Sequence, residues 1–510
     1  MKTAAFLKLT LVITLLSSVF YSCSDSFLEV PVQGGVSPAS DPDLAPKLVT
    51  GVYHSLLQGS SFGDGDIHGF AFISVTSIMS DDADKGSTLG DQAVPVGDLD
   101  NFTISPTNRF AETLWSGHYN SIGAANQAIA ALSKATSITP ALRNQLTGEV
   151  KFLRAYLYFN LVRMYGAVPL VLRVPKDAQD ANSEPAFQTR IAATIVYDSI
   201  ARDLQYAVSN LPLKSQSATG HANKGAAQAL LAKVYMYQNK WDLVKSLTDE
   251  VINSNQYQLL PNYANLWRQE SNNNIESIFE IQTGGFNNAN LGPDLYTICQ
   301  GVRVGGGGGW DDLGWGFNNP STNLVNAYEV GDLRKGATIL AIDNSGTHKG
   351  TILWDGFRVP SSDSVQNLFY NYKAYTSKEK EKYADKNDKN RPKNIPILRY
   401  ADVLLMNAEA ALQPSINQPA LALDNINKLR QRAGLTIKGS VNIADVWKER
   451  RIELAMEHDR FWDLVRQGNA GQVLRAAGKT NFVDGKHELL PIPNSQILLS
   501  ANKLTQNPGY

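Results

Sequence analysis

Cysteine is nearly missing: the 510 residues contain two, Cys23 and Cys299. That excludes a disulfide framework and a multi-cysteine zinc site. No sign of charge is in excess either, with 47 basic residues against 48 acidic ones. A strong electrostatic nucleic-acid binder needs a clear basic surplus, so no nucleic-acid partner is expected. No apolar run has the roughly 20 residues that span a bilayer as a helix. HExxH, GxSxG, Walker A and GxGxxG signatures are all lacking. No pair of carboxylates stands out as a glycosidase dyad.

Two acidic clusters fail as EF-hand loops. The loop from Asp64 through Asp66 has Val75 at its twelfth position, and the one from Asp82 has Ala93, where a calcium loop needs Glu. A looser calcium site using Asp81, Asp82 or Asp84 stays open; otherwise no cofactor is expected.

What is present is a chain with 43% hydrophobic and 19% charged residues, too apolar to be disordered. It is long enough for a large core without staples. Lys2 and Lys8 precede the uncharged stretch Leu9 to Tyr21, which is too short to cross a membrane. A basic start, a short apolar stretch and a small residue after it predict a signal peptide over residues 1–22. The stretch ends at Ser22-Cys23, which predicts lipid attachment at Cys23; Phe20 and Tyr21 depart from the usual lipobox. The alternative is a secreted protein with a free cysteine. Cleavage would leave 45 basic residues against 48 acidic ones. With Cys23 lipidated, Cys299 is expected to be a buried thiol.

Amphipathic periods predict helices over Leu44–Leu57, Leu114–Leu132, Thr147–Tyr165, Thr189–Asn210, Asn223–Asn239, Trp241–Asn253, Pro396–Leu412, Pro419–Arg432 and Ala444–Gln467. In Thr147–Tyr165, Val150, Leu153, Leu157, Leu161 and Met164 share one face. Pairs of about thirty residues suggest tetratricopeptide-like units stacked along a common face, with a general helical bundle as the alternative. Trp115 to Asn126 reads as helix core. The charges from Lys448 to Arg460 read as a salt-bridged helix.

Residues 284–393 break this pattern with few helical stripes, short apolar runs such as Thr338–Ile342 and a charged stretch over Thr376–Lys393. Loops on a rigid scaffold commonly carry binding residues. Gly305 to Phe317 reads GGGGGWDDLGWGF. Trp310, Trp315 and Phe317 lie among glycines, on no stripe that would bury them. Indole faces can stack on sugar rings, and Asp311 and Asp312 can accept hydrogen bonds from hydroxyls. The alternative is that these rings cap the core. Tyr296, Asp81 and Asp82, and Arg358 beside Trp354 and Phe357 are further ligand candidates.

Several stretches together resemble the SusD/RagB family of outer-membrane nutrient-binding lipoproteins. Asn394–Ala410 (NIPILRYADVLLMNAEA) and Arg450–Gly468 (RRIELAMEHDRFWDLVRQG) are similar to two family signatures. The ending with LLPIP and TQNPGY, the Arg154–Pro169 and Gly331–Arg334 stretches and the opening CSDSFLEVP match in order.

The resemblance implies a mostly α, SusD-like domain over residues 23–510. Its helical scaffold would cover about 40–283 and 394–468, with a loop-rich ligand-binding insertion at 284–393 and a tail at 469–510. It implies a non-enzymatic protein, lipid-anchored in the outer membrane and facing the exterior. Such a protein binds an oligosaccharide or polysaccharide and acts as a lid on a SusC-type TonB-dependent transporter. A peptide-binding RagB-type member, a surface glycosidase and a helical adaptor are the alternatives.

Overall fold

The structure, a computed structural model, describes residues 41, 43–57, 65–284, 295–303, 314–377, 380–381 and 393–510. The predicted signal peptide and Cys23 lie outside the described residues.

Helices carry the architecture. In chain order, the scaffold helices are α1 (Leu44–Ser55), α2 (Arg109–Lys134), α3 (Pro140–Tyr165), α4 (Ala193–Asn210), α5 (Lys224–Met236), α6 (Trp241–Asn253), α7 (Tyr400–Ala411), α8 (Pro419–Arg432), α9 (Ile443–Glu453) and α10 (Arg460–Arg466). Side-chain oxygens satisfy the free N–H groups at several starts. Asn108 accepts from Phe110 N at 2.9 Å, Thr139 from Leu142 N at 3.2 Å just before Pro140, and Asn223 from Ala226 N at 3.0 Å. Asn442 and Asp445 cap α9 reciprocally.

From α2 to α8 each helix packs on its successor, with α6 meeting α7 across the long intervening insertion. This serial packing is the stacked arrangement that the helix pairs predict. The stripe Val150, Leu153, Leu157 and Leu161 is fully buried in the main core, and Cys299 is buried, as expected.

Among the described residues six short strands pair two by two: β1 (Ala83–Gly86) with β3 (Phe317–Pro320), β2 (Ser277–Ile281) with β6 (Ile395–Arg399), and β4 (Ile339–Ala341) with β5 (Phe369–Asn371), all antiparallel. The insertion has a core of its own, including Val302, Leu340, Leu353, Val359 and Tyr370.

Three sequence expectations change. The helix predicted from Pro396 begins at Tyr400, because Ile395–Arg399 pairs with β2 instead. The helix predicted over Ala444–Gln467 is two helices, broken by a turn in which Met456 and His458 have φ of +65° and +68°. Left-handed backbone at such residues costs about 1–3 kcal/mol. The turn aims Glu457 at Lys373 (2.6 Å) and Arg399 (2.7 Å), and Asp459 at Arg163 (3.1 Å) and Lys233. Those charge-assisted bonds offset the backbone strain. Finally, the charges on α9 are ion-paired as expected, but to other segments and not along their own helix. Glu449, Arg450 and Glu453 are buried and pair with Arg334, Asp402 and Arg399 from other segments. Burial alone would raise the Glu453 carboxyl, but Arg432, Arg399 and Arg334 hold it well below the usual range.

Candidate ligand-binding face

The β1–β3 register sets Gly86 opposite Phe317. Ser87, just after β1, therefore meets Gly316, just before β3, and its N–H donates to the Gly316 carbonyl at 2.6 Å. Trp315 N donates to Ile298 O at 2.9 Å, and Gly316 N to Gly301 O at 2.8 Å. Residues 301–303 and 314–316 thus form one neck, from which the glycine-rich segment leaves and to which it returns. Gly314 has φ of +147°, and a Cβ there would sit 2.4 Å from Ile298 O. Gly86 has φ of +70°, and its Cβ would lie 1.6 Å from Asn319 Oδ1. Neither position admits a side chain without displacement.

Side chains lock the neck. Arg303 donates to Ser87 Oγ at 2.7 Å and pairs with Asp91. Asp91 Oδ2 also accepts from Ser87 Oγ at 2.9 Å and Thr88 Oγ1 at 2.7 Å. Lys85 Nζ donates to the carbonyls of Thr88 (2.7 Å) and Asp91 (3.0 Å). Burial, and to a lesser degree the nearby Arg303, lower the Lys85 ammonium from its ordinary value. Gln366 N donates to Arg303 O at 3.2 Å, bringing the 343–368 loop to the same place. Three loops converge there, with Leu89 and Val94 exposed on the first.

The candidate residues distribute unevenly. Trp310 and Asp311 lie outside the described residues. Trp315 is at the neck, half-buried, its ring edge-on to Phe70 at 6.2 Å. Phe317, expected among loop rings, is the first residue of β3 and is buried, its ring centroid 4.5 Å from Phe70. Tyr296 is buried, with its ring edge-on to His458 at 5.2 Å. It shares the Leu295–Gln300 helix with the neck anchor Ile298, but its ring belongs to the main core.

Arg358 is exposed and donates to the carbonyls of His348 (3.0 Å) and Gly350 (3.1 Å), holding its own loop together. Trp354 nearby is half-buried against the Arg268 guanidinium at 4.6 Å. The structure therefore does not bring Arg358 or Tyr296 to the Trp315 neck as a set.

Asp81 and Asp82 are each 1% exposed and face arginines, not an open site. Arg460 donates to Asp81 at 2.7 and 3.0 Å, and Arg451 to Asp82 at 2.6 Å. Burial alone would raise Asp81, but Arg460 and Arg451 bring it below its ordinary value, while burial raises Asp82. Asp66 of the other acidic cluster is a helix cap, accepting from Gly69 N (2.9 Å) and Ala71 N (3.0 Å). Among the described residues no group of three or more His, Cys, Asp or Glu is arranged to hold a metal ion.

Arg303, Ser87 and Asp91 escaped the sequence reading. The only signal available was a lone cation just before the glycine run, and its partners lie 212 and 216 positions away. The neck can hold aromatic and polar groups at a fixed place, which suits capture of a neutral, hydroxyl-rich ring by stacking and hydrogen bonding. Its carboxylate is committed to Arg303 and two hydroxyls.

Two family models match the chain. One is described as the SusD family and covers residues 275–510. The other, described as starch-binding associating with outer membrane, covers residues 75–236. The chain is 27% identical over 533 aligned residues to SusD-like protein P2 of Formosa agariphila, covering 99% of both chains. Among solved structures it is similar to a laminarin-binding SusD-like protein, with a TM-score of 0.74 and 29% identity, covering 92% of this chain and 99% of the other. It shares the fold of surface glycan-binding protein A from Bacteroides thetaiotaomicron in complex with laminarihexaose, with a TM-score of 0.75 and 24% identity over 91% and 99% of the two chains.

Proposed function

The chain belongs to the SusD/RagB family, and from that premise we propose that it captures a glycan outside the cell and passes it intact to an outer-membrane transporter. The observation that carries this is the near full-length likeness, at 29% identity, to a protein that binds laminarin. Laminarin and its oligosaccharides are therefore the first ligands to test.

In this reading Trp310 and Trp315 stack on the sugar rings and Asp311 accepts from their hydroxyls. Cys23 carries the lipid that anchors the chain in the outer membrane. A SusC-type TonB-dependent barrel is the partner, and the protein is its lid. Tethering beside the pore raises the local concentration of bound cargo. Cargo closes the lid only if it binds the closed state more tightly than the open one. No bond in the cargo is broken.

Calorimetry on protein lacking residues 1–23, against laminarin, starch and a peptide pool, tests the reading. Binding of a glycan, largely lost in the W310A/W315A double variant with helix content unchanged, is the expected result. Peptide binding without glycan binding, or release of cleaved sugar on long incubation, would overturn it. Undiminished binding by the double variant would remove the aromatic loop as the site.

A further inference from the structure

Away from the neck, a groove of about 340 Å³ opens between α2, the segment after α3 and the C-terminal tail. Three aromatic side chains line it: Trp115 and Tyr119 from α2, and Phe187. No charged residue does. Trp115 and Tyr119 are fixed. Their ring centroids are 5.0 Å apart, Tyr165 meets the Trp115 ring edge-on from the core, and the Tyr119 hydroxyl donates to Pro169 O at 2.8 Å. One side of Phe187 carries the Arg173 guanidinium at 4.8 Å.

The polar groups of this groove are unfinished. Trp115 is only 4% exposed, yet its indole N–H donates to no described residue. On the rim, the side-chain amides of Asn120 and Gln496 also bond to no described residue. One indole donor and two amides, each able to donate and accept, therefore line an aromatic hollow, none of whose described lining residues is charged. This volume lies in the range of small-molecule sites, which pair apolar walls with a few placed polar groups.

We infer that this groove is a second saccharide-binding site, taking one or two rings of a neutral sugar. The partly exposed rings of Tyr119 and Phe187 can meet the C–H faces of a pyranose, with the edge of Trp115 between them, and amides match its hydroxyls. The inference takes its ligand class from the proposed function but rests on separate residues. Phe110, which packs edge-on against Phe70 beneath Trp315, and Trp115 are five positions apart on α2. At 3.6 residues per turn they project about 140° apart around the helix, so the two sites face different directions.

The test follows the Trp115 indole N–H resonance of the purified protein, assigned with the Trp115→Phe variant. Laminarihexaose, maltohexaose and, as a control, the tripeptide Leu-Gly-Gly are titrated into wild type, W310A/W315A and N120A/Q496A. A saturable shift of this resonance with a hexasaccharide, at a Kd of about 1 mM or tighter, is expected in wild type and in W310A/W315A. It should weaken by about tenfold or more in N120A/Q496A, whose substitutions lie on the rim of the groove. Glycan binding that depends wholly on Trp310 and Trp315 and leaves the Trp115 resonance unmoved would overturn this site and leave the proposed function standing. A response to the tripeptide but to neither sugar would overturn it in favour of a protein-docking groove. If the Trp115 resonance responds to sugar while the double tryptophan variant loses nothing else, the groove stands and the aromatic loop falls.

Discussion

Arg460 reaches Asp81 across 379 positions of sequence, with Nε 2.7 Å from Oδ1. Both side chains are largely withdrawn from water. The pair, with Arg451 and Asp82 beside it, joins the start of the β1 segment to the turn and helix that follow α9. Removing one partner of a buried pair leaves the other charge uncompensated, at about 3–5 kcal/mol. Asp81→Ala should therefore lower the unfolding free energy by that amount while the fraction that stays folded keeps wild-type glycan affinity. Chemical denaturation with calorimetry on the same sample checks both. Lost affinity at unchanged stability would return Asp81 to the ligand site.

Buried histidines should weaken the fold in acid. His68, His118 and His458 are buried, and burial lowers their imidazoles to about 3, 4 and 3. Unfolded, each titrates near 6.5. Between those values the unfolded chain binds protons that the folded one refuses, so stability falls as pH drops, by up to about 1.4 kcal/mol per pH unit for each histidine. Burial lowers His487 to about 4 in the same sense. Others oppose them: burial raises Asp66 to about 6 and also raises Asp82, Asp84 and Glu449, and the hydrogen bond to Glu149 raises His221. The urea midpoint of His118→Gln relative to wild type should therefore rise as pH falls from 7 to 4.

Below pH 4 Asp463 joins the loss. Burial alone would raise it, but Arg450 and Arg466 hold it down at about 2, so its stabilisation is present above its unfolded value and disappears as pH falls toward 2. A difference between variant and wild type that stays constant from pH 7 to pH 4 would contradict the histidine assignment.

Gly314→Ala should damage binding more than folding. The new methyl meets Ile298 O at 2.4 Å, so the neck must open. The expected stability cost is about 1–3 kcal/mol. Affinity for the glycan should fall about tenfold or more as Trp315 is displaced. Parallel melting and titration of the variant would show the two effects.

Arg303→Ala removes the bolt between the two loops. Asp91 is partly exposed, so the pair contributes only about 1 kcal/mol to stability. Ligand affinity should drop, and amide exchange at Ser87 and Thr88 should accelerate. Unchanged exchange at those two amides would mean that Lys85 alone secures the loop.

Cys23→Ala should abolish incorporation of an alkyne-labelled palmitate and release the protein from the membrane fraction. Membrane retention without label would point to an anchor other than an acyl chain.

The helices were legible where an amphipathic period ends at a clear stop. Trp241–Asn253 and Pro419–Arg432 run as predicted, the second closed at Gly434. Strand Ile395–Arg399 was not, because nothing local makes it a strand; its partner is more than a hundred residues earlier. The left-handed turn at Met456 and His458 contains no glycine or proline to announce it, and only Lys373, Arg399, Arg163 and Lys233 explain it. Long-range pairing also decided the site residues. Asp81 and Asp82 look available in sequence until Arg451 and Arg460 arrive from the far end. Trp315, expected on a loop among glycines, stands at the neck, whereas Trp115, read as core, is core on one edge and groove on the other.

Val302, Leu340, Leu353, Val359 and Tyr370 gather beneath the loops apart from the side chains that stack the helices. Descendants of an ancestral gene can therefore exchange or lengthen those loops without reopening the helical repeat beneath them. Selection on what those loops bind then leaves the packing of the helices as it was.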